Sequence, residues 1–599
     1  MSNLFQNKFI RAIIPVFAVL FFFSCQKDLS NDNGTNPGQP ADLTTKVNSS
    51  VSGFVTDENN VAVLGANVSV GGFNTITDKY GFFEVRNVQV VKNAAMVTVN
   101  QPGYFKGIKT YIATENKAAF FRIKLIPKTN VGTINAVSGG NVTLSNGLIV
   151  ALPANAVITV GSGAAYTGTV NVASHWIDPT AADLTETMPG DLRGIATDGT
   201  LKSLTTYGMA AVELTGASGE LLQIATGKKA TLTLMIPSSI LATAPATIPL
   251  WSFDETNGLW KEEGTATKTG NTYVGEVSHF SFWNCDVPAN YVHFDCTVKD
   301  QTGNPIPYAA VKITEVSNTN NSRYGFTDSS GYVDGFVPNN TQLLIEVFSD
   351  YSCGTALYSQ TITTSNVAVS LGVITLSIST ATATVSGTVT DCNNAPVTNG
   401  YIVMIDGYRY YRYSLSSTGA FSFTALLCNG TATAIMIAED NVGLQQSSPL
   451  AVTVTAGANA IGNLQACGIS TQQFVTYTVD GGSVITFSAP ADSVFHSGNG
   501  TALSSYISAS SNGGNPNGET YFAFTNSGIG VGSVQTLTSY FCAQIAAQTT
   551  VNSPANVNIT EYGAVGQFIA GNFTCSVTES IAPNTVHNII CSFRVRRSF

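Results

Sequence analysis

Val51-Ser52-Gly53-Phe54-Val55-Thr56-Asp57 and Val385-Ser386-Gly387-Thr388-Val389-Thr390-Asp391 are two near-copies of one seven-residue phrase, far apart in a chain of 599 residues. A looser copy, Cys296-Thr297-Val298-Lys299-Asp300, lies between them. Apolar residues alternate with small polar ones in each, the period-two signature of a half-buried strand. Each strand stops at an Asp whose carboxylate can cap a turn by accepting backbone N–H groups. Small residues then lead into a second alternating run, Gly65-Ala66-Asn67-Val68 in the first copy and Tyr308-Ala309-Ala310-Val311 in the second.

A second turn follows in each copy: Asp78-Lys79-Tyr80-Gly81-Phe82, Asp328-Ser329-Ser330-Gly331-Tyr332, and Ser417-Thr418-Gly419-Ala420-Phe421. Asp opens the turn, Gly supplies a positive φ, and the aromatic begins the next strand facing the core. The third copy lacks the Asp, so its turn must be capped in another way. Strand-turn-strand-turn-strand in three copies predicts stacked β-sandwich modules. These residues resemble the carboxypeptidase regulatory-like domain, a transthyretin-like β-sandwich, over about 50–128, 290–378 and 379–468. In that family the module accompanies catalytic or transport domains or serves as a surface spacer. The resemblance therefore implies a fold and hardly any chemistry.

The N-terminus reads as an export signal. A short basic start (Lys8, Arg11) precedes an apolar run from Ala12 to Phe23 that is too short to span a bilayer. Phe22-Phe23-Ser24-Cys25 resembles the lipobox of bacterial lipoproteins, in which the Cys becomes the lipidated first residue. Two or three acyl chains would anchor the protein firmly, at about 0.8 kcal/mol per buried methylene. Gln26-Lys27-Asp28 lacks the Asp of inner-membrane retention, and its Lys-Asp pair resembles the surface-export signal of Bacteroidota lipoproteins. From Leu29 to about Ser49 the chain is too polar to bury a core and reads as a flexible tether. The expected location is the outer membrane, lipid-anchored and facing the exterior, with the membrane as a partner through Cys25.

Charged residues make up 11% of the chain, against about 25% in typical soluble proteins. Ser, Thr, Asn and Gly carry the surface instead, as in secreted β-proteins. A nucleic-acid partner is excluded, since it needs clustered Lys and Arg. The one basic cluster, Arg594, Arg596 and Arg597, reads as a solvated strand end. Ten cysteines, less Cys25, leave nine in an oxidising compartment, so at least one stays free or pairs between chains. The intradomain candidates are Cys296 with Cys353, Cys392 with Cys428, and Cys575 with Cys591, although connectivity does not follow from sequence.

Between 129 and 289 the pattern changes. Gly147-Leu148-Ile149-Val150-Ala151-Leu152-Pro153, Ile248-Pro249-Leu250-Trp251-Ser252-Phe253-Asp254 and Ser278-His279-Phe280-Ser281-Phe282-Trp283-Asn284 resemble the ZU-type β-sandwich of netrin receptors and ankyrins. The Trp-rich half is closer to the extracellular part of cartilage intermediate layer proteins. All four tryptophans lie here, Trp176, Trp251, Trp260 and Trp283. Rings flanking a hairpin are most often core or cross-strand pairs, with sugar stacking the sharper alternative. Asp178, Asp183, Glu186 and Asp191 offer oxygen ligands but lack regular calcium-loop spacing, so they read as a solvated loop. The segment 469–599 holds alternating strands without the repeat's turns. Its Thr560-Glu561-Tyr562-Gly563 and closing Ser592-Phe593-Arg594-Val595 resemble a domain common at the ends of Bacteroidota lipoproteins.

No histidine heads a His-x-x-Glu or H-E-x-x-H zinc motif, and no nucleophile elbow, P-loop or dinucleotide fingerprint occurs. Carboxylate pairs for glycoside cleavage are set by fold and not by spacing. The reading is of a non-catalytic protein without a cofactor. Its best binding candidate is Tyr408-Arg409-Tyr410-Tyr411-Arg412-Tyr413, where a strand must show aromatics beside Arg on at least one face. The alternative is a strand that merely favours Tyr.

The sequence thus predicts an all-β chain of tandem β-sandwich domains, transthyretin-like or Ig-like, on a lipidated flexible tether. Signal peptide occupies 1–24, lipidated Cys and tether 25–49, and regulatory-like sandwiches 50–128, 290–378 and 379–468. A ZU-type domain occupies 129–289 and a C-terminal β domain 469–599. The expected function is a binding or adhesion module for a glycan or protein ligand. A structural envelope spacer, or an accessory subunit of a surface glycan-uptake system, is the alternative.

Overall fold

The computed structural model describes residues 41–599 apart from 116, 350–352, 377–381, 408, 429, 490, 498–503, 512–517, 546–547, 553, 564–566 and 598–599. Cys25 and the signal segment lie outside the described residues. Among those described, strands dominate, and no helix is long and apolar enough to cross a membrane.

In the first sandwich, Lys46–Thr56 lies between Phe82–Val91, antiparallel, and Ala118–Lys124, parallel. The facing sheet runs Phe73–Ile76, Asn67–Val70, Ala95–Asn100 and Gly107–Tyr111. Alternate residues Val51, Val55, Val68, Val97, Val99 and Ile123 fill the space between them. The same three-over-four arrangement recurs in Tyr291–Leu376, with Tyr291–Asp300 at the centre of the smaller sheet. Thr382–Thr390 takes that place in the fourth domain, parallel to Gly457–Gln465. The chain is all-β, built of tandem β-sandwich domains.

The capping carboxylates act at both turns. Asp57, Asp300 and Asp391 each accept two backbone N–H groups through Oδ1, at 2.8 to 2.9 Å. At the second turn Asp78 and Asp328 do the same, from Tyr80 and Phe82 and from Ser330 and Tyr332. In the third copy the Ser416 hydroxyl stands in, accepting from Thr418 and Ala420 at 3.3 and 3.0 Å. That position lies one residue ahead of the turn quoted above.

The second domain is a 13-stranded sheet around the long strand Leu201–Thr215, and its short helix Leu184–Thr187 packs against Ala118–Lys124 of the first domain and Asn318–Phe326 of the third. The C-terminal domain is a ten-stranded sheet closing on Val586–Arg596. Arg594 and Arg597 are not solvated there. Arg594 bonds Glu561 at 2.7 and 3.1 Å and stacks on Phe568, and Arg597 lies over Tyr562.

The domains are not strung out in a line. The first contacts the second, third and fourth, and apolar cores run across these joints. Phe54, Phe82 and Phe120 share a cluster with Tyr308, Phe326, Tyr411 and Phe423. Phe105, Ile108 and Ile126 share another with Leu192, Trp251 and Trp260 of the second domain.

The disulfides depart from the expected pairing. Cys353 bonds Cys428 and Cys392 bonds Cys467, each across a sequence separation of 75. Cys392 and Cys467 just follow two parallel strands, so both emerge at the same end of the sandwich. Cys428 instead reaches the third domain. Cys296 is free and points into its own core, where burial pushes its thiol up to about 12. Cys575 and Cys591 are free too, because Cys575 faces Ile589 and Cys591 faces Phe573, two positions out of register.

Candidate functional site

The aromatic-basic strand is a joint and not an open platform. Tyr408 lies outside the described residues. Among the described residues Arg409–Ser414 pairs along one edge with Gly400–Asp406; the first domain covers one of its faces and its own domain's Phe423 packs on the other. Tyr410 and Arg412 turn toward the first domain. The Tyr410 ring lies 6.0 Å from Phe54 and 6.0 Å from Tyr80. Arg412 sits over Tyr401 at 3.8 Å and over Phe82 at 4.6 Å. Its Nε is 3.9 Å from the Asp78 carboxylate that caps the first domain's turn.

On the opposite face, Tyr411 is 3% exposed, and Tyr413 stacks on Phe423 at 3.8 Å with ring planes 7° apart. Burial pushes the Tyr413 phenol well above its ordinary range. Arg409 pairs with Asp406 across the hairpin. Lys79, next to the capping Asp78, bonds Glu439 at 2.9 Å and reaches Gln446, so an ion pair reinforces the same joint.

Tyr308 stands at the centre of this cluster, 4.5 Å from Phe120 and 6.1 Å from Tyr411. Its φ is +63°, in the left-handed region where the first copy has Gly65 at +73°. A bulky residue held there costs about 1–3 kcal/mol and persists only where its surroundings demand it. Those surroundings are three domains meeting on one ring.

The joint between first and second domains is held by buried cations. Lys109 is 3% exposed and donates to the carbonyls of Thr185 and Met188 at 2.7 and 2.6 Å. Burial lowers its ammonium to about 7, against the pull of Glu186 and Asp191. Arg193 is fully buried, bonding Asp191 at 2.6 Å and the Asn93 carbonyl of the first domain at 2.6 Å. Lys124 pairs with Asp183 at 2.6 Å. The acidic loop 178–191 is therefore a clamp: Asp183 and Asp191 hold cations, Asp178 caps Thr180, and Glu186 is buried.

The tryptophans are core residues. Trp251, Trp260 and Trp283 are fully buried, with indole N–H groups of Trp251 and Trp283 bonded to the carbonyls of Asp286 and His279. Trp176 packs partly buried against the same domain's core. A cavity of about 240 Å³ remains where the first three domains meet, with Lys109, Arg122 and Arg323 among its walls. Burial lowers Arg323 to about 10, opposed by Asp286.

The sequence reading singles out none of Lys109, Arg193 or Tyr308. A lysine inside the otherwise buried strand Gly107–Tyr111 was the available signal, since a buried Lys needs partners. The Tyr in the Gly65 position of the repeat was another.

No family model matches the chain. Cartilage intermediate layer protein 2 of Homo sapiens is 31% identical over 142 residues, 21% of this chain and 12% of that protein. Its Mus musculus counterpart is 25% identical over 202 residues, 32% of this chain and 17% of that protein. The chain thus spans less than a fifth of these curated relatives. Among solved structures, a streptococcal ancillary pilin shows 12% identity and a TM-score of 0.13, covering 37% of this chain and 95% of its own. The shaft pilin SpaA of Lactobacillus rhamnosus GG shows 11% and 0.17, covering 30% and 98%. A candidate carbohydrate-binding protein of Bacteroides uniformis shows 13% and 0.12, covering 36% and 98%. Likeness at those TM-scores carries nothing about function.

Proposed function

We propose that this chain is a non-catalytic outer-membrane lipoprotein, anchored through acyl chains on Cys25 and facing the cell exterior, that acts as a binding or adhesion module. The observation that carries the reading is the buttressed body. The first domain is fastened at once to the second, third and fourth by Lys109, Arg193 and the cluster around Tyr308. Joints this apolar oppose the relative domain motion that is otherwise the default. Surfaces from different domains are thereby held in fixed register, which suits display of a composite binding face.

Two disulfides fit an oxidising compartment. Similarity to part of a cartilage layer protein fits an extracellular interaction role. The spacer reading draws support from the burial of Tyr411 and the stacking of Tyr413 on Phe423, which take these rings of the most aromatic strand out of an open surface.

The test is metabolic labelling with an alkyne fatty acid, together with affinity electrophoresis through polysaccharide and matrix-protein gels. Wild type should take up label, be shaved by protease on intact cells, and be retarded by one ligand. Cys25→Ala should lose the label. Unlabelled wild type would remove the anchor, and no retardation in any gel would leave the spacer.

A further inference from the structure

A half-open cleft of about 610 Å³ separates the first domain from the second. This is the size of small-ligand pockets, which favour domain interfaces. Two ion pairs cross it, Lys106–Glu255 at 2.5 Å and Lys128–Glu213 at 3.0 Å. They fix the two walls at a set distance, and they cancel the four charges pairwise. Its floor is apolar, with Phe105, Leu214 and Phe282 all buried.

The first domain's wall is built differently. Asn67 and Asn100 are register partners on adjacent strands, with Gln101 next in line. Among the described residues these three side-chain amides make no hydrogen bond within the protein, and Asn67 and Asn100 are exposed. Tyr104 stands half-exposed beside them, its N–H donating to the Gln101 carbonyl and its backbone bridged to Pro127. Burial, the charges of Glu58 and Asp57 and a hydrogen bond to the Glu58 carboxylate push its phenol up to about 12, so it stays neutral and the ring is what it offers a ligand. Its ring packs partly buried against the first domain's core and has no aromatic partner among the described residues.

A row of free amides, one unstacked ring and a field cancelled by pairing together describe one kind of ligand. An anionic ligand would need unpaired cations. A purely apolar one would leave the amides without partners. A hydroxyl-rich ring with an apolar face satisfies both walls. We propose that this cleft binds a short stretch of an uncharged polysaccharide, with Tyr104 stacking on a sugar ring and Asn67, Asn100 and Gln101 bonding its hydroxyls. The proposal rests on the binding-module reading above.

A rival aromatic group lies on the C-terminal domain, where Tyr506, Tyr521 and Phe541 stack at 5.7 and 4.7 Å with planes 29° and 16° apart. Stacking covers part of the ring faces that a sugar would need, and among the described residues no row of unbonded amides stands beside them as one does beside Tyr104.

Isothermal titration calorimetry of the full chain in a polyoxyethylene detergent tests this with maltohexaose, cellohexaose, laminarihexaose and mannohexaose, with heparin and polygalacturonate as anionic probes, and with the matrix proteins of the gel assay. One neutral hexaose should bind. Tyr104→Ala should weaken it by about tenfold, and Asn100→Ala, at an exposed site that leaves folding intact, should weaken it as well. Tyr104→Phe should keep most of the affinity and Tyr521→Ala all of it. Neutral binding that survives both Tyr104→Ala and Asn100→Ala, or that falls only in Tyr521→Ala, overturns the cleft while the binding module stands. Binding confined to the anionic probes or to a matrix protein does the same. Silence from all of these overturns both.

Discussion

Gly81, Gly331 and Gly419 hold φ values of +71°, +76° and +75°, and a Cβ at each would fall 2.2 to 2.5 Å from a carbonyl oxygen of the first strand. The same carbonyl-side approach lets each Gly accept the first strand's N–H, as Gly331 does from Val298 at 2.7 Å. Conformation and contact thus demand Gly independently. Gly331→Ala should destabilise its domain by about 1–3 kcal/mol, read as a lower midpoint in urea; a loss below a few tenths would show that the turn shifts freely. Lys109 supplies a pH dependence of known sign. Its ordinary value is 10.5 and its folded value about 7. Between those limits the unfolded chain holds more protons, so stability rises with pH. Below about 7 both states are protonated, and the cost of burying the charge is felt in full. The slope is at most one proton, about 1.4 kcal/mol per pH unit. Thermal scans from pH 6 to 9 should therefore show wild type gaining on Lys109→Met as pH rises. Parallel curves would mean that the two carbonyl bonds keep Lys109 charged throughout.

Strands and turns were legible because they are local. Period-two runs and Asp-to-Gly turns specify their own geometry, and even the missing third Asp was replaced by its neighbour, Ser416. The candidate site was legible only as a strand. Alternation tells which residues of Arg409–Ser414 share a face, but not that Phe54, some 350 positions earlier, will cover Tyr410. Disulfide pairing failed for a related reason. Cys428 and Cys467 share the domain of Cys392, so an intradomain rule does not choose between them, whereas parallel first and last strands bring Cys392 to Cys467. The joint has a direct consequence for the strand. Tyr411→Ala should cost about 3–5 kcal/mol as a buried aromatic truncation, measured by chemical denaturation. Tyr410→Ala should cost less, yet raise hydrogen exchange in both the first and fourth domains, because its ring lies between Phe54 and Tyr80 of the first and the Tyr401–Val403–Ile437 cluster of the fourth. Exchange rising in the fourth domain alone would mean that the two domains are merely neighbours.

At the scale of the whole molecule, two kinds of link join the first four β domains. Apolar clusters and buried cations join the first domain to its neighbours, whereas the third and fourth share a covalent link, Cys353–Cys428. Cys392–Cys467 lies wholly within the fourth domain and closes a span of the same length, 75 residues. Chain-closure arguments give each about 4 kcal/mol, so any difference between their removals reports position and not loop length. Cys392→Ser with Cys467→Ser should lower the fourth domain's transition alone. Cys353→Ser with Cys428→Ser should instead separate the third and fourth domains' transitions in calorimetry, leaving their coupling to the rings around Tyr308 and to Leu426, which is buried in the third domain's core. Two resolved peaks in that variant, against one merged peak in wild type, would place the coupling in the disulfide. A merged peak that survives the change would place it in the apolar joint, where Leu426 enters the third domain's core and Tyr308 accepts a strained φ to touch both partners.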